Sequence, residues 1–228
     1  MKILALDASE QACSVALLNE GDLQQRLTIA PRQHAALLLP MAQELLAESE
    51  LTLAMLDAIA VARGPGAFTG LRIATSAAQG LALGADLGIA PISTLHAMVA
   101  RACEERGVKA VIAALDARME EVYIGGYRQT APDEYERFLE EQVCTPAEVR
   151  CSEDSAAWPA IELGVGSGWI YQAPLQNALS MELPVVIDWP CHAKEVARLA
   201  QSWVTQSRLL PPEEVVPAYL RNTVAQTK

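Results

Sequence analysis

The chain has 228 residues, half of them hydrophobic, and 17 Lys and Arg against 28 Asp and Glu give a net charge of −11. That balance excludes a stand-alone nucleic-acid binder, which needs concentrated cations to displace counterions from phosphates, so any RNA contact calls for positive surface from a partner. Five cysteines with no Cys-x-x-Cys pair suit free thiols in a reducing compartment, and with no secretory signal and no apolar run of about 18 residues a soluble cytoplasmic protein without membrane contact is expected.

Lys2–Asp7 is a short apolar run ending in a carboxylate and reads as a buried strand. Cys13–Leu18 and Leu23–Ile29 follow across short turns, so the three form an antiparallel meander. Arg32–Glu48 then takes helical spacing, with Pro31 before it and Pro40 bending it. His34, Leu37, Leu38, Met41 and Leu45 make one face, with Ala35, Leu39, Ala42 and Leu46 beside it. The belt is wider than a surface helix needs.

Asp57–Val61 is a strand that leads into Gly64-Pro65-Gly66, a tight turn. From Thr69, read as an N-cap, a second helix runs to Gly84. At about 100° per residue, Leu71, Ala74, Ala78, Leu81 and Ala82 fall on one side. Thr69, Ile73, Ser76, Ala77, Gly80 and Gly84 fall on the other, a smooth stripe that lets a second helix come close. Two readings fit this helix equally: a partner docks on the stripe, or both sides are buried within one domain. Ile89–Ile92 is a further strand and Thr94–Arg106 a third helix. The order β-β-β-α-β-α-β-α is that of a ribonuclease-H-like lobe.

After Gly107 the pattern restarts. ILALDASEQACSVAL (Ile3–Leu17) and VIAALDARMEEVYIGGY (Val111–Tyr127) both hold a strand ending Leu-Asp-Ala, a turn and a second strand, which makes Asp7 and Asp116 equivalent. Phe138–Cys144, Ala160–Val165 and Pro184–Ile187 supply further strands, and His192–Gln206 a last helix. Thr130–Arg137 is polar and Cys151–Pro159 reads as a loop, so the second copy is eroded. The expected architecture is α/β: a lobe over 1–106 carrying the first two helices, and a second over 107–228 whose tail is expected to pack back on the first.

A duplicated lobe of this kind is the architecture of the actin, Hsp70 and sugar-kinase superfamily. The resemblance becomes narrower at four motifs. AIAVARGPGAFTGLRIATSAAQGLALG, ALDARMEEVY, GVGSGW and PAYLRN, in this order, resemble the bacterial TsaB family of tRNA threonylcarbamoyladenosine biosynthesis proteins. The similarity runs from Lys2 to about Val224 and is weakest over Thr130–Ala157.

The resemblance implies a non-catalytic subunit. Family members pair with a catalytic paralogue, TsaD, which transfers threonylcarbamoyl to N6 of adenosine 37 in tRNAs reading ANN codons. A small ATPase, TsaE, joins them, and a separate synthase makes the threonylcarbamoyl-adenylate donor. ATP and metal are expected on those partners, none on this chain, and tRNA is reached through the complex. The paralogues dock by the first two helices of their first lobes. The implied interface here is His34, Leu37, Leu38, Met41 and Leu45 with Thr69, Arg72, Ile73, Ser76, Ala77, Gly80 and Gly84.

The residues agree with a non-catalytic role. The paralogue's metal-binding histidines correspond to Thr94 and Met98, poor ligands for a hard or borderline cation, and His96 stands alone in that stretch. Asp7 and Ser9 lie on the hairpin that faces phosphate in active phosphotransferases, but Ala8, Glu10 and Gln11 replace the cradling glycines and threonines. Asp7 therefore reads as a tie in a vestigial hairpin. Gly64–Gly70 lacks the Gly-Lys-Ser/Thr ending of a P-loop. Arg118 is the expected contact for a subunit or RNA. An ATP-dependent phosphotransferase using the cleft between lobes, and a stand-alone module that self-associates through the same helix pair, are the alternatives. The homodimer is expected when the partner is absent.

Overall fold

The computed structural model describes residues 1–150 and 158–220. They form two compact units, Met1–Ala97 with Pro190–Pro217, and Met98–Trp189 with described residues from Ala218 on. Cys151, most of the loop expected over Cys151–Pro159, and the end of the Tyr219–Asn222 motif lie outside the described residues.

The first unit is built on strands β1 (Lys2–Asp7), β2 (Ala12–Asn19), β3 (Asp22–Ile29), β4 (Ala58–Gly64) and β5 (Ile89–Ser93), in the order β3-β2-β1-β4-β5. β1–β2 and β2–β3 are antiparallel, β1–β4 and β4–β5 parallel. Because side chains alternate along a strand, Leu4, Leu6, Val15 and Leu17 join Ile59 and Val61 in a core with helices α1 (His34–Glu48) and α2 (Phe68–Ala85). Ser14, of the opposite parity, meets α5 (Ala193–Thr205). This last helix packs on β1, β2, β4 and β5, although it follows the second set of strands in the chain.

The segment after α5 is a strap. Leu210 exchanges both backbone hydrogen bonds with Ile89, at 2.8 and 2.9 Å, and so covers the free edge of β5. Gly88 is required there, since a Cβ would stand 2.6 Å from that of Leu209. Gln79 Nε2 of α2 donates to the carbonyls of Pro212 and Val215, each at 3.0 Å, and Val215 is buried in the α1–α2 core.

The second unit repeats the sheet. β6 (Ala110–Arg118), β7 (Glu121–Ala131), β8 (Glu134–Cys144), β9 (Leu163–Val165) and β10 (Val185–Val186) lie in the order β8-β7-β6-β9-β10 with the same sequence of antiparallel and parallel pairs. The α/β fold with two ribonuclease-H-like sheets is thus present. β8 starts at Glu134, four residues before the expected Phe138, because an edge strand pairs through its backbone and tolerates a polar sequence on its open side. Helix α4 (Gln172–Leu179) was not anticipated. It packs Leu175 and Leu179 against Ile112, Ile124 and the buried Trp169, whose indole N–H donates to the Ile112 carbonyl at 3.2 Å. Helix α3 (Thr94–Arg106) completes the set.

Candidate functional site

The hairpin and the glycine turn explain each other. Gly66 and Gly70 lie on the β1–β2 turn so closely that a Cβ would stand 2.4 Å from the Ser9 carbonyl oxygen or 1.9 Å from that of Ala8. The Ala67 N–H donates to the Ser9 carbonyl at 2.7 Å, and α2 starts one residue later. The cap is therefore Ala67, not Thr69, and no side chain caps the helix: contact with the turn sets its start.

Asp7 and Ser9 are fully buried beneath this loop. Asp7 Oδ1 accepts the Ser9 N–H at 2.9 Å and Oδ2 the Ser14 hydroxyl at 3.4 Å. Burial pushes the carboxyl up to about 6, against the lowering effect of the hydrogen bonds from Ser9 and Ser14 and of nearby His34. In the second unit Asp116 Oδ1 accepts the Arg118 N–H, also at 2.9 Å, and Oδ2 faces the Arg118 guanidinium at 3.0 Å. Both aspartates thus tie their own turns.

Burial raises the thiols of Cys13 and Cys144 to about 11 and that of Cys103 to about 12, so none is a thiolate near neutrality. Among the described residues no group of three His, Cys, Asp or Glu could hold a metal ion. Thr94 and Met98 are each buried.

The outward sides of α1 and α2 are different. On α2, Leu71, Ala74, Ala78 and Ala82 face the sheet, whereas Thr69, Arg72, Ser76, Gly80 and Gly84 are exposed and Ile73 and Ala77 half-buried. A Cβ built on Gly80 or Gly84 meets nothing within 4 Å. Phe68 and Leu83, 50% and 74% exposed, mark the two ends of the face, with the Arg72 guanidinium 3.6 Å above the Phe68 ring. On α1, His34, Leu38 and Leu45 are buried in their own core, Leu37 and Met41 are half-buried, and Leu39, absent from the expected interface, is exposed together with Pro40. The broad apolar belt is thus divided: one part serves the sheet and a narrower part faces out. Helical spacing alone cannot make that division, because Leu38 and Leu39 are equally apolar.

A tRNA threonylcarbamoyladenosine biosynthesis protein TsaB of Haemophilus influenzae is 38% identical over 237 residues, covering 100% of this chain and 97% of its own. The chain belongs to the TsaB family. A TsaB of Escherichia coli K12 is 36% identical, with 100% and 98% covered. Residues 28–164 match the family model described as TsaD: tRNA N6-adenosine threonylcarbamoyltransferase. A solved Pseudomonas aeruginosa structure, YeaZ, has a TM-score of 0.87 at 38% identity, covering 96% of this chain and 99% of that one. A second P. aeruginosa structure, described as similar to peptidase YeaZ, has a TM-score of 0.88 with the same identity and coverage. In this TsaB-family chain Asp7, Ser9 and His34 are each buried.

Proposed function

We propose that the chain is a non-catalytic subunit of the machinery that makes threonylcarbamoyladenosine in tRNA, and that it binds the catalytic paralogue TsaD through the outward sides of α1 and α2. The contact comprises Leu37, Leu39 and Met41 with Thr69, Arg72, Ile73, Ser76, Ala77, Gly80 and Gly84. His34, Leu38 and Leu45 support it from beneath. The observation that carries this reading is the open space over Gly80 and Gly84, on a helix that also exposes Phe68 and Leu83. A glycine inside an exposed helix costs stability relative to alanine. A backbone left bare at two successive turns makes sense where another backbone comes close.

Asp7 ties its own turn, and Thr94 and Met98 stand where the paralogue's metal ligands would be, so catalysis belongs to the partner. TsaE and tRNA join through the complex, in the cytoplasm. Without the partner the same face is free to pair with a second copy, because a two-fold contact needs only one self-complementary patch.

Reconstitution tests the reading. Purified TsaD, TsaE, the donor synthase, tRNA and ATP should form the modified nucleoside much faster with this chain than without it, and the chain in place of TsaD should form none. Transfer by this chain without TsaD would overturn the non-catalytic assignment.

A further inference from the structure

A sheet edge invites a further strand, because its outer N–H and C=O groups are unpaired, and chains blunt such edges by covering, shortening or charging them. Leu210 covers β5, and β10 has only two residues. β8 carries Glu134, Glu136, Arg137, Glu140 and Glu141, and its register against β7 is irregular. The remaining edge, β3, is treated otherwise. It runs eight residues, pairs with β2 throughout, and has no strand on its other side among the described residues. Its charges are Asp22 and Arg26 alone, and Leu27 and Ile29 are 38% and 58% exposed.

The Ala30 N–H donates to the Gln11 carbonyl at 3.2 Å, which sets the phase of the β2–β3 ladder. Bonded pairs alternate along such a ladder. Asp22, Gln24, Arg26 and Thr28 therefore turn their backbone groups to β2, and Leu23, Gln25, Leu27 and Ile29 turn theirs to the open edge. Side chains alternate as well: Arg26 is ion-paired with Glu48 of α1, whereas Gln25 accepts the Lys194 N–H of α5 at 3.0 Å.

The occupant follows from the register. A second β3, antiparallel, bonds through the same outward residues, so the two-fold axis falls on Gln25, Arg26 or Leu27. An axis at Arg26 sets two guanidinium groups opposite each other, which is unfavourable. An axis at Leu27 carries Asp22 past the end of the copy's strand. An axis at Gln25 sets Leu23 against Leu27 of the copy in both halves and exchanges about six backbone hydrogen bonds, two for each bonded pair. It also places each Arg26 diagonally from Asp22 of the copy, within reach of a long side chain.

We propose that β3 is a self-association edge, through which two copies of this chain join their first-unit sheets about a two-fold axis at Gln25. A contact of this kind is isologous and closes at two copies. It is separate from the α1–α2 face and does not rest on the proposed assembly.

The test is site-specific cross-linking of the full chain under mild oxidation, read against wild type. Gln25→Cys should form a disulfide with its copy, since opposed residues of a bonded pair stand about 5.5 Å apart, within disulfide range. Leu27→Cys should cross-link at least about tenfold less, because its copy lies four residues along the strand, roughly 14 Å away. Within the Gln25→Cys chain, Arg26→Asp should cut the cross-link about tenfold, and adding Asp22→Lys should restore it, since a copy carries both halves of the pair. Leu27→Lys, at an exposed position, should also weaken self-association about tenfold in sedimentation, which needs no cysteine beside α5. Equal cross-linking at positions 25 and 27, no recovery in the charge reversal, or identical sedimentation of wild type and Leu27→Lys would each overturn the proposal.

Discussion

Asp7 is a fully buried carboxylate that ties its own turn. Its pKa, raised by burial from the ordinary 3.8 to about 6, means that between those values the folded chain holds a proton which the unfolded chain releases. The stabilisation from that proton is fully present below pH 3.8 and lost as pH rises through about 6. Asp7→Asn keeps an oxygen for the Ser9 N–H and removes the titration. The stability of Asp7→Asn relative to wild type should therefore rise by up to about 3 kcal/mol between pH 4 and pH 7.5, measured by urea unfolding at each pH. A parallel pair of profiles would show that Asp7 does not titrate in this range. The sequence revealed the equivalence of Asp7 and Asp116 through the repeated Leu-Asp-Ala. It could not reveal Ser14, whose hydroxyl donates to Asp7 and accepts the Ala193 N–H at 2.9 Å from 179 residues away.

At the scale of elements, α2 stands between α1 and the strap, and Gln79 joins it to the strap with two hydrogen bonds to carbonyl oxygens. Only a donor works at that position. Gln79→Glu, the same size but an acceptor, should destabilise the chain by about 1–3 kcal/mol, whereas Gln79→Lys should restore most of the loss. Thermal unfolding of the three proteins checks this, and equal midpoints for Glu and Lys would contradict it. The two faces of α2 were legible because small and large side chains alternate at helical spacing. The placement of α5 was not. Its first N–H groups are satisfied by Ser14 and by Gln25 Oε1, which accepts the Lys194 N–H at 3.0 Å, and no local capping residue marks them. Helix α4 was missed for a related reason: its eight residues hold too little periodicity to stand out without Trp169 and Ile112 beside them.

Among the described residues one sheet order appears twice, and the two copies differ at the first hairpin: Ala8 and Ser9 are buried, whereas Met119 is exposed. In the first unit the glycine turn closes over the hairpin and sends α2 outward. In the second the corresponding hairpin keeps its tip in solvent. The repeat was readable because a strand ending in Leu-Asp-Ala is a local pattern. The openness of the Gly80 stripe was not readable, since spacing shows that a face is smooth and cannot show whether the same chain covers it. The central claim, that this face receives the catalytic paralogue, is tested most directly at Gly80. Nothing lies within 4 Å of a Cβ placed there, so Gly80→Leu should leave the isolated chain as stable as wild type or up to about 1 kcal/mol more so. Titrated into TsaD by calorimetry, the account predicts that Gly80→Leu loses at least about a hundredfold in affinity, or about 3 kcal/mol. Wild-type affinity in a folded Gly80→Leu chain would contradict it.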